Sequence, residues 1–163
     1  MIIGLISDTH MPRGSRRLPD ACVERLRGVD LILHAGDLMT QEALAVFEGI
    51  GPPLVAVHGN VDSPELRERL PAERILEAGD ARLAMVHDAG PARGRLERLR
   101  RRFPDVDAVV FGHSHLPLHE QDGGFQIFNP GSPTERRRAP TRTMGLAHAE
   151  AGGGLRFELV DVG

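Results

Sequence analysis

Short apolar runs alternate with charged, helix-length segments through the first half of the chain. Ile2 to Ser7 is too brief for a helix and rich in β-branched residues, so it predicts a strand. Pro19 to Arg27 sets Ala21, Cys22 and Leu26 against charges and predicts a short helix. Leu31 to His34 predicts a second strand, Gln41 to Glu48 a second helix and Leu54 to His58 a third strand. A helical turn follows, with Ser63 as its cap and Pro64 in its first position. Strands alternating with helices imply a parallel sheet covered by helices.

The second half has a different rhythm. Arg74 to Ala78 and Arg82 to Val86 flank a Gly79-Asp80 turn and predict a hairpin. Pro91 to Phe103 carries Leu96, Leu99 and Phe103 at helical spacing, and Asp107 to Phe111 predicts another strand. Leu116 to Gln121 and Phe125 to Phe128 flank "DGG", and Thr143 to His148 and Leu155 to Val160 flank "AEAGGG", two further hairpin signals. An α/β half followed by an antiparallel half implies two sheets packed face to face with helices outside. With no repeat or long linker, residues 1–163 are expected to form a single domain.

The ends of these strands are where the pattern stops serving the sheet. The five runs end in "SDTH", "HAGD", "HGN", "VHD" and "GHSH". The carboxyl ends of parallel strands form the ligand crevice in α/β sheets. Residues i and i+2 of an extended backbone point to the same side, so Asp8 with His10, and His113 with His115, are each expected to aim at one place. Asp37 and Asn60 each follow a glycine, which permits tight turns. Asp8, His10, Asp37, Asn60, His87, His113 and His115 together offer two carboxylates, one amide oxygen and four imidazoles. Gathering these groups without a compensating partner would be costly, and a metal supplies the partner. Seven ligands exceed what one first-row ion needs and suit two ions sharing a carboxylate. Mixed oxygen and nitrogen donors without thiolate favour Mn, Fe, Co, Ni or Zn over a structural zinc site. A pair of such ions clamps a phosphoryl group and generates hydroxide at neutral pH, which points to phosphate ester hydrolysis.

Composition narrows the alternatives. The formal charge of −3 announces neither nucleic acid nor membrane as a partner. No Trp or Tyr is present to stack single-stranded bases, which counts against nucleic-acid binding. All 20 cationic side chains other than histidine are Arg, so lysine nucleophiles and Walker-type lysines are excluded. The one cysteine, Cys22, rules out an internal disulfide framework and fits a reducing interior. No stretch of about 18 apolar residues occurs, so a cytoplasmic location is expected.

Taken in order, D-x-H, GD, GN, H and GHxH, followed by "FNPGSP", resemble the calcineurin-like metallophosphoesterase superfamily. The similarity is to its small single-domain branch of YfcE-type phosphodiesterases, and it runs from residue 1 to about residue 148. It implies a four-layered α/β/β/α sandwich. It also implies one ion on Asp8, His10, Asp37 and His115, and a second on Asp37, Asn60, His87 and His113, with Asp37 as the bridge. Manganese is the expected ion, with nickel, cobalt, iron or zinc as alternatives. The implied reaction is hydrolysis of a small phosphodiester or nucleotide-like substrate by a hydroxide bridging the ions. Phosphomonoesterase or nucleotide pyrophosphatase activity on the same site is the alternative. The family also includes a retromer subunit used mainly as a protein-binding scaffold, and small members form dimers or tetramers.

One departure bears on mechanism. Relatives read "GNH" where this chain has "HGNVD", and Val61 cannot donate a proton to a leaving group. His58, two residues before Asn60, is the expected substitute, although His34 and His58 both also suit hydrogen-bonded strand ends. His119 and His148 are expected as sheet or surface residues. The arginines of "RGRLERLRRR" fit a solvated helix face, and those of "ERRRAP" fit either loop charge or guidance of an anionic substrate. Asn129 and Ser132 are expected to serve the turn after the histidine pair.

Overall fold

The computed structural model describes residues 1–163. The chain forms β1 (Ile2–Ile6), α1 (Asp20–Arg27), β2 (Leu31–His34), α2 (Gln41–Glu48), β3 (Leu54–Ala56), α3 (Pro64–Arg69) and β4 (Glu73–Ala78). It continues through β5 (Ala81–Val86), α4 (Arg95–Arg102), β6 (Ala108–Val110), β7 (Leu118–Asp122), β8 (Phe125–Asn129), β9 (Thr143–Ala149) and β10 (Leu155–Asp161). Two five-stranded sheets result, ordered β10-β9-β1-β2-β3 and β4-β5-β6-β8-β7.

The layers follow from where apolar side chains go. Ile3, Leu5 and Leu33 from the first sheet pack against Leu83, Met85, Val110 and Phe128 from the second, filling the space between sheets. On the outer face of the first sheet, Ile6 and Ile32 meet Cys22 and Leu26 of α1, Leu44 and Phe47 of α2, and Leu66 of α3. On the outer face of the second, Ala84, Val109 and Ile127 meet Leu99 of α4 and Phe103 just beyond it. The order is helices, sheet, sheet, helix: an α/β/β/α sandwich. Caps set two of the helices as the sequence indicates. Thr40 accepts from Ala43 N at 3.3 Å to start α2, and Ser63 accepts from Leu66 N at 3.4 Å to start α3 with Pro64 in its first turn.

Two expectations need correction. The C-terminal half is not wholly antiparallel: β5, β6 and β8 pair in parallel, and the β9–β10 hairpin returns to the first sheet beside β1. The fourth helix begins at Arg95, not Pro91, because Gly94 takes the left-handed conformation (φ 69°) and opens the helix there. Arg98 meanwhile donates to the carbonyls of Ala89 and Pro91, at 2.7 Å each, and holds 91–94 as a loop.

Parallel β1, β2 and β3 in one sheet and β5, β6 and β8 in the other present their carboxyl ends to the segments holding Asp8, Asp37, Asn60, His87, His113 and Asn129. No helix is long and apolar enough to cross a membrane.

Candidate metal centre

Strand β1 runs out at Ile6 beside His34, and the chain beyond it stays bound to the chain beyond β2. Asp8 N donates to Gly36 O at 3.0 Å, His10 N to Asp37 O at 2.9 Å and Met11 N to Leu38 O at 3.0 Å. These residues are not extended. Asp8, His10, Asp37, His113 and His115 all have positive φ, between 46° and 72°. The expectation that i, i+2 pairs converge through extended backbone is therefore corrected: left-handed turns aim these side chains. Each such residue costs on the order of 1–3 kcal/mol and persists only where its surroundings hold it. Glycines give the turns room. A Cβ on Gly59 would collide with Asp37 Oδ1, and one on Gly112 with Ser7 Oγ.

The side chains collect in two groups. Asp8, His10 and His115 form one and Asp37, His87 and His113 the other, and within each the ligand atoms lie within 4.8 Å of one another. His113 and His115 thus fall in different groups, the division that the family resemblance implies for them. Asp37 stands between the groups: its Oδ2 is 3.2 Å from His10 Nε2 and 3.2 Å from His87 Nε2. Asn60 Oδ1 closes the second group, at 3.1 Å from both His87 Nε2 and His113 Nδ1. All seven residues read from the sequence are brought together.

The proton positions favour a cation. His87 Nδ1 donates to Ala35 O at 2.7 Å, which leaves Nε2 as an acceptor. That acceptor faces Asp37 Oδ2, Asn60 Oδ1 and, at 3.9 Å, Asp8 Oδ1. Acceptors facing acceptors need a proton or a metal ion between them. Accordingly, although burial alone would lower the pKa of His87, Asp37 and Asp8 hold it above the usual histidine value. His115 is the complementary case. Its Nδ1 lies 3.3 Å from Glu135 O, and burial and the Arg137 charge lower its pKa to about 4, so the ring is neutral. His10 Nε2 and His115 Nε2 are buried with no partner in hydrogen-bonding geometry.

The carboxylates carry opposite shifts. Burial raises Asp8 to about 6, against the opposing effects of His87 and a 2.8 Å hydrogen bond from Ser7 Oγ. Asp37 is also penalised by burial, but the His10 and His87 imidazoles, each 3.2 Å away, outweigh this and hold it well below the usual carboxylate range. Orphaned imidazole nitrogens, a buried carboxylate and oxygen–nitrogen donors without thiolate fit a pair of divalent ions.

The remaining predicted residues divide. His34 is fully buried, 3.0 Å from Thr9 Oγ1 and accepting from Gly36 N at 3.2 Å, so it is a bonded strand-end histidine that braces both ligand loops. His58 differs: its ring makes no hydrogen bond, and it lines a pocket with Asn60, His87, Asp88 and Arg67. Val61 is 39% exposed and points no donor at the site. His119 bonds Gln126 Oε1 at 2.8 Å and His148 faces Glu158 at 3.6 Å, both on sheet surfaces.

Two supports escaped the sequence reading. Buried Asp62 accepts from Asp37 N at 3.1 Å, Met39 N at 2.7 Å and Gly59 N at 2.6 Å, and so ties the Asp37 and Asn60 loops together. Its signal was the carboxylate in "GNVD", two residues after a ligand. Ser132 does more than serve its turn: its hydroxyl donates to Asp8 O at 2.9 Å and accepts from Glu135 N at 3.0 Å. Thr134 donates to Thr9 O at 2.8 Å. Asn129 shapes the turn by accepting from Gly131 N at 2.9 Å, and also donates to Gly112 O at 3.0 Å.

Two mixed sheets between helices, with carboxylates and imidazoles meeting beyond the strands of both, define a metal-dependent phosphoesterase class. The chain belongs to the calcineurin-like phosphoesterase superfamily, whose domain description matches residues 1–152. It is 35% identical over 148 residues to a "Probable metallophosphoesterase" of Methanothermobacter thermautotrophicus, covering 90% of this chain and 85% of that one. It is 26% identical over 144 residues to a phosphodiesterase of Methanocaldococcus jannaschii, covering 80% and 83%. Among solved structures, wild-type Vps29 from Entamoeba histolytica complexed with zinc superposes with a TM-score of 0.78 over 100% of both chains, at 23% identity.

Proposed function

We propose that this protein is a binuclear-metal phosphodiesterase. Asp8, His10 and His115 would hold one ion and Asn60, His87 and His113 the other, with Asp37 shared between them. The observation that carries this reading is Asp37 Oδ2 lying 3.2 Å from an imidazole of each group. Two divalent ions there, manganese foremost and nickel, cobalt, iron or zinc as substitutes, would supply charge neutralisation at phosphorus and an acidified water.

The chain's own residues supply the rest. His87 keeps Nε2 available because its other nitrogen is committed to Ala35 O, and His115 stays neutral because it is buried. With valine at position 61, the half-buried His58 beside Asn60 and His87 is the group placed to protonate a leaving oxygen. A histidine outside the two groups is a weaker acid source than one against the substrate, which favours diesters with good leaving groups. The substrate is a small phosphodiester or nucleotide-like molecule, and buried, unpaired Cys22 suits the reducing cytoplasm.

The test is a metal-stripped protein given back Mn, Ni, Co, Zn or Mg, assayed on bis(p-nitrophenyl) phosphate and p-nitrophenyl phosphate. Diester turnover that disappears in Asp37→Asn is expected. Equal turnover of both substrates would make the protein a general phosphatase, and no turnover with any ion would make it a scaffold.

A further inference from the structure

One pocket touches the candidate centre and another lies beside the loop that carries two of its histidines. One contains His58 and touches Asn60 and His87. The other is lined by Ser114, Leu116, Arg137 and Arg138, and Ser114 is the residue between His113 and His115. The Ser114 hydroxyl is already engaged, accepting from Leu116 N at 3.2 Å and Asn129 Nδ2 at 3.1 Å. Recognition in this pocket therefore falls to two guanidinium groups and the exposed side chain of Leu116.

These guanidiniums are free. Many arginines of the chain have partners: Arg16 with Glu135, Arg69 with Glu48, Arg100 with Asp122 and Arg102 with Glu73. Neighbouring Arg136 donates to Ala139 O at 3.0 Å. Arg137 and Arg138 form no ion pair and donate to no protein acceptor, and no carboxylate lines their pocket. Their loop is nonetheless anchored to the centre. Ser132 and Thr134 hold the backbone of Asp8 and Thr9, and Glu135 O meets His115 Nδ1. The two charges are thus carried on a fixed segment that shares its anchors with two proposed ligands.

We infer that Arg137 and Arg138 form an anion subsite that reads a second phosphate on the substrate. The preferred substrate class is then a phosphodiester carrying a further phosphate on one of its two substituents. A guanidinium fork matches the geometry of phosphate oxygens, and Leu116 offers an apolar wall to the carbon framework between the phosphates. This rests on the diesterase reading for the bond that is cleaved: one substituent of the diester leaves, and the other carries the second phosphate into the neighbouring pocket.

The test separates binding from turnover. Calorimetric titration of manganese-loaded protein with thymidine 3′,5′-bisphosphate and with thymidine 5′-monophosphate reads the subsite. The wild type is expected to bind the bisphosphate about tenfold more tightly or better. Arg137→Asn with Arg138→Ala should erase that preference, asparagine being tolerant of the left-handed backbone at 137, and Arg138→Lys alone should keep part of it. Arg138→Ala alone should leave hydrolysis of bis(p-nitrophenyl) phosphate within about twofold, because that diester has no second charge to read and, unlike Arg137, Arg138 bears on no proposed ligand. No preference in the wild type, or equal weakening of both nucleotides in the variant, would overturn the subsite. A preference for the bisphosphate without hydrolysis of any diester would leave the subsite standing and defeat the hydrolase reading.

Discussion

Asp37 and Asp62 show how two carboxylates in one loop region take different work. Asp37 faces imidazoles from both groups, whereas Asp62 faces only backbone N–H groups. Asp62→Ala would leave three donors short of a partner, at about 1–3 kcal/mol for each that stays buried. Urea unfolding of the metal-free protein should therefore show a loss of several kcal/mol, on the order of 3. A loss below about 1 kcal/mol would show that water replaces the carboxylate. His34 gives a pH signature. Burial lowers its pKa to about 3, so the folded chain refuses a proton that the unfolded chain accepts below about 6.5. Stability contributed this way is complete above about 6.5 and falls as pH drops toward 3, by up to about 1.4 kcal/mol per unit. His34→Gln should flatten the difference in urea midpoint between pH 7 and pH 4.5, and an unchanged slope would contradict a neutral His34. At this scale the ligand types were legible because a sheet has no use for Asp and His at its exits. The left-handed turns were not, since nothing in the residue names distinguishes an extended D-x-H from a turned one.

At the scale of elements, the site depends on strands ending together and on loops being held open. Gly59→Ala tests the second condition. The added methyl meets the Asp37 carboxylate, so the variant should lose manganese binding by at least about tenfold in calorimetry while far-UV circular dichroism stays native. Normal affinity would show that the loop can shift at no cost to the centre. The same scale explains what the pattern could not supply. Each strand and helix was readable from its own period, but partner choice was not. The β9–β10 hairpin pairs with β1, more than a hundred residues away, so no local signal placed it in the first sheet. The start of α4 turned on one glycine adopting positive φ, whereas Leu96, Leu99 and Phe103 kept their helical spacing and their core contacts. His113 and His115 fall in the different groups that the resemblance implies, and a left-handed residue at each position is what sends them there.

For the molecule as a whole, the proposed centre would couple folding to metal binding through the buried Asp8. Burial raises its pKa to about 6 in the metal-free protein, while an ion requires it deprotonated. His87 is held above the usual histidine value and must also lose its proton, so manganese affinity should fall as pH drops through the histidine range and further below about 6, and binding there should release protons, visible as calorimetric heats that change with buffer ionisation enthalpy. Heats independent of buffer would show that neither Asp8 nor His87 carries a proton for the ion to displace. Because the proposed ligands come from both sheets, ions would bind only the assembled sandwich, and saturating manganese at about 100 times its Kd should stabilise the fold by about 2.7 kcal/mol per site. The central claim is that side chains from both sheets converge on two cations sharing Asp37. Anomalous diffraction at the manganese edge, on crystals grown with manganese, counts these ions directly. Two peaks flanking Asp37 are predicted for the wild type, with at least one lost in Asp37→Asn. A single peak, or a pair that survives that substitution unchanged, would contradict the shared carboxylate on which the binuclear reading depends.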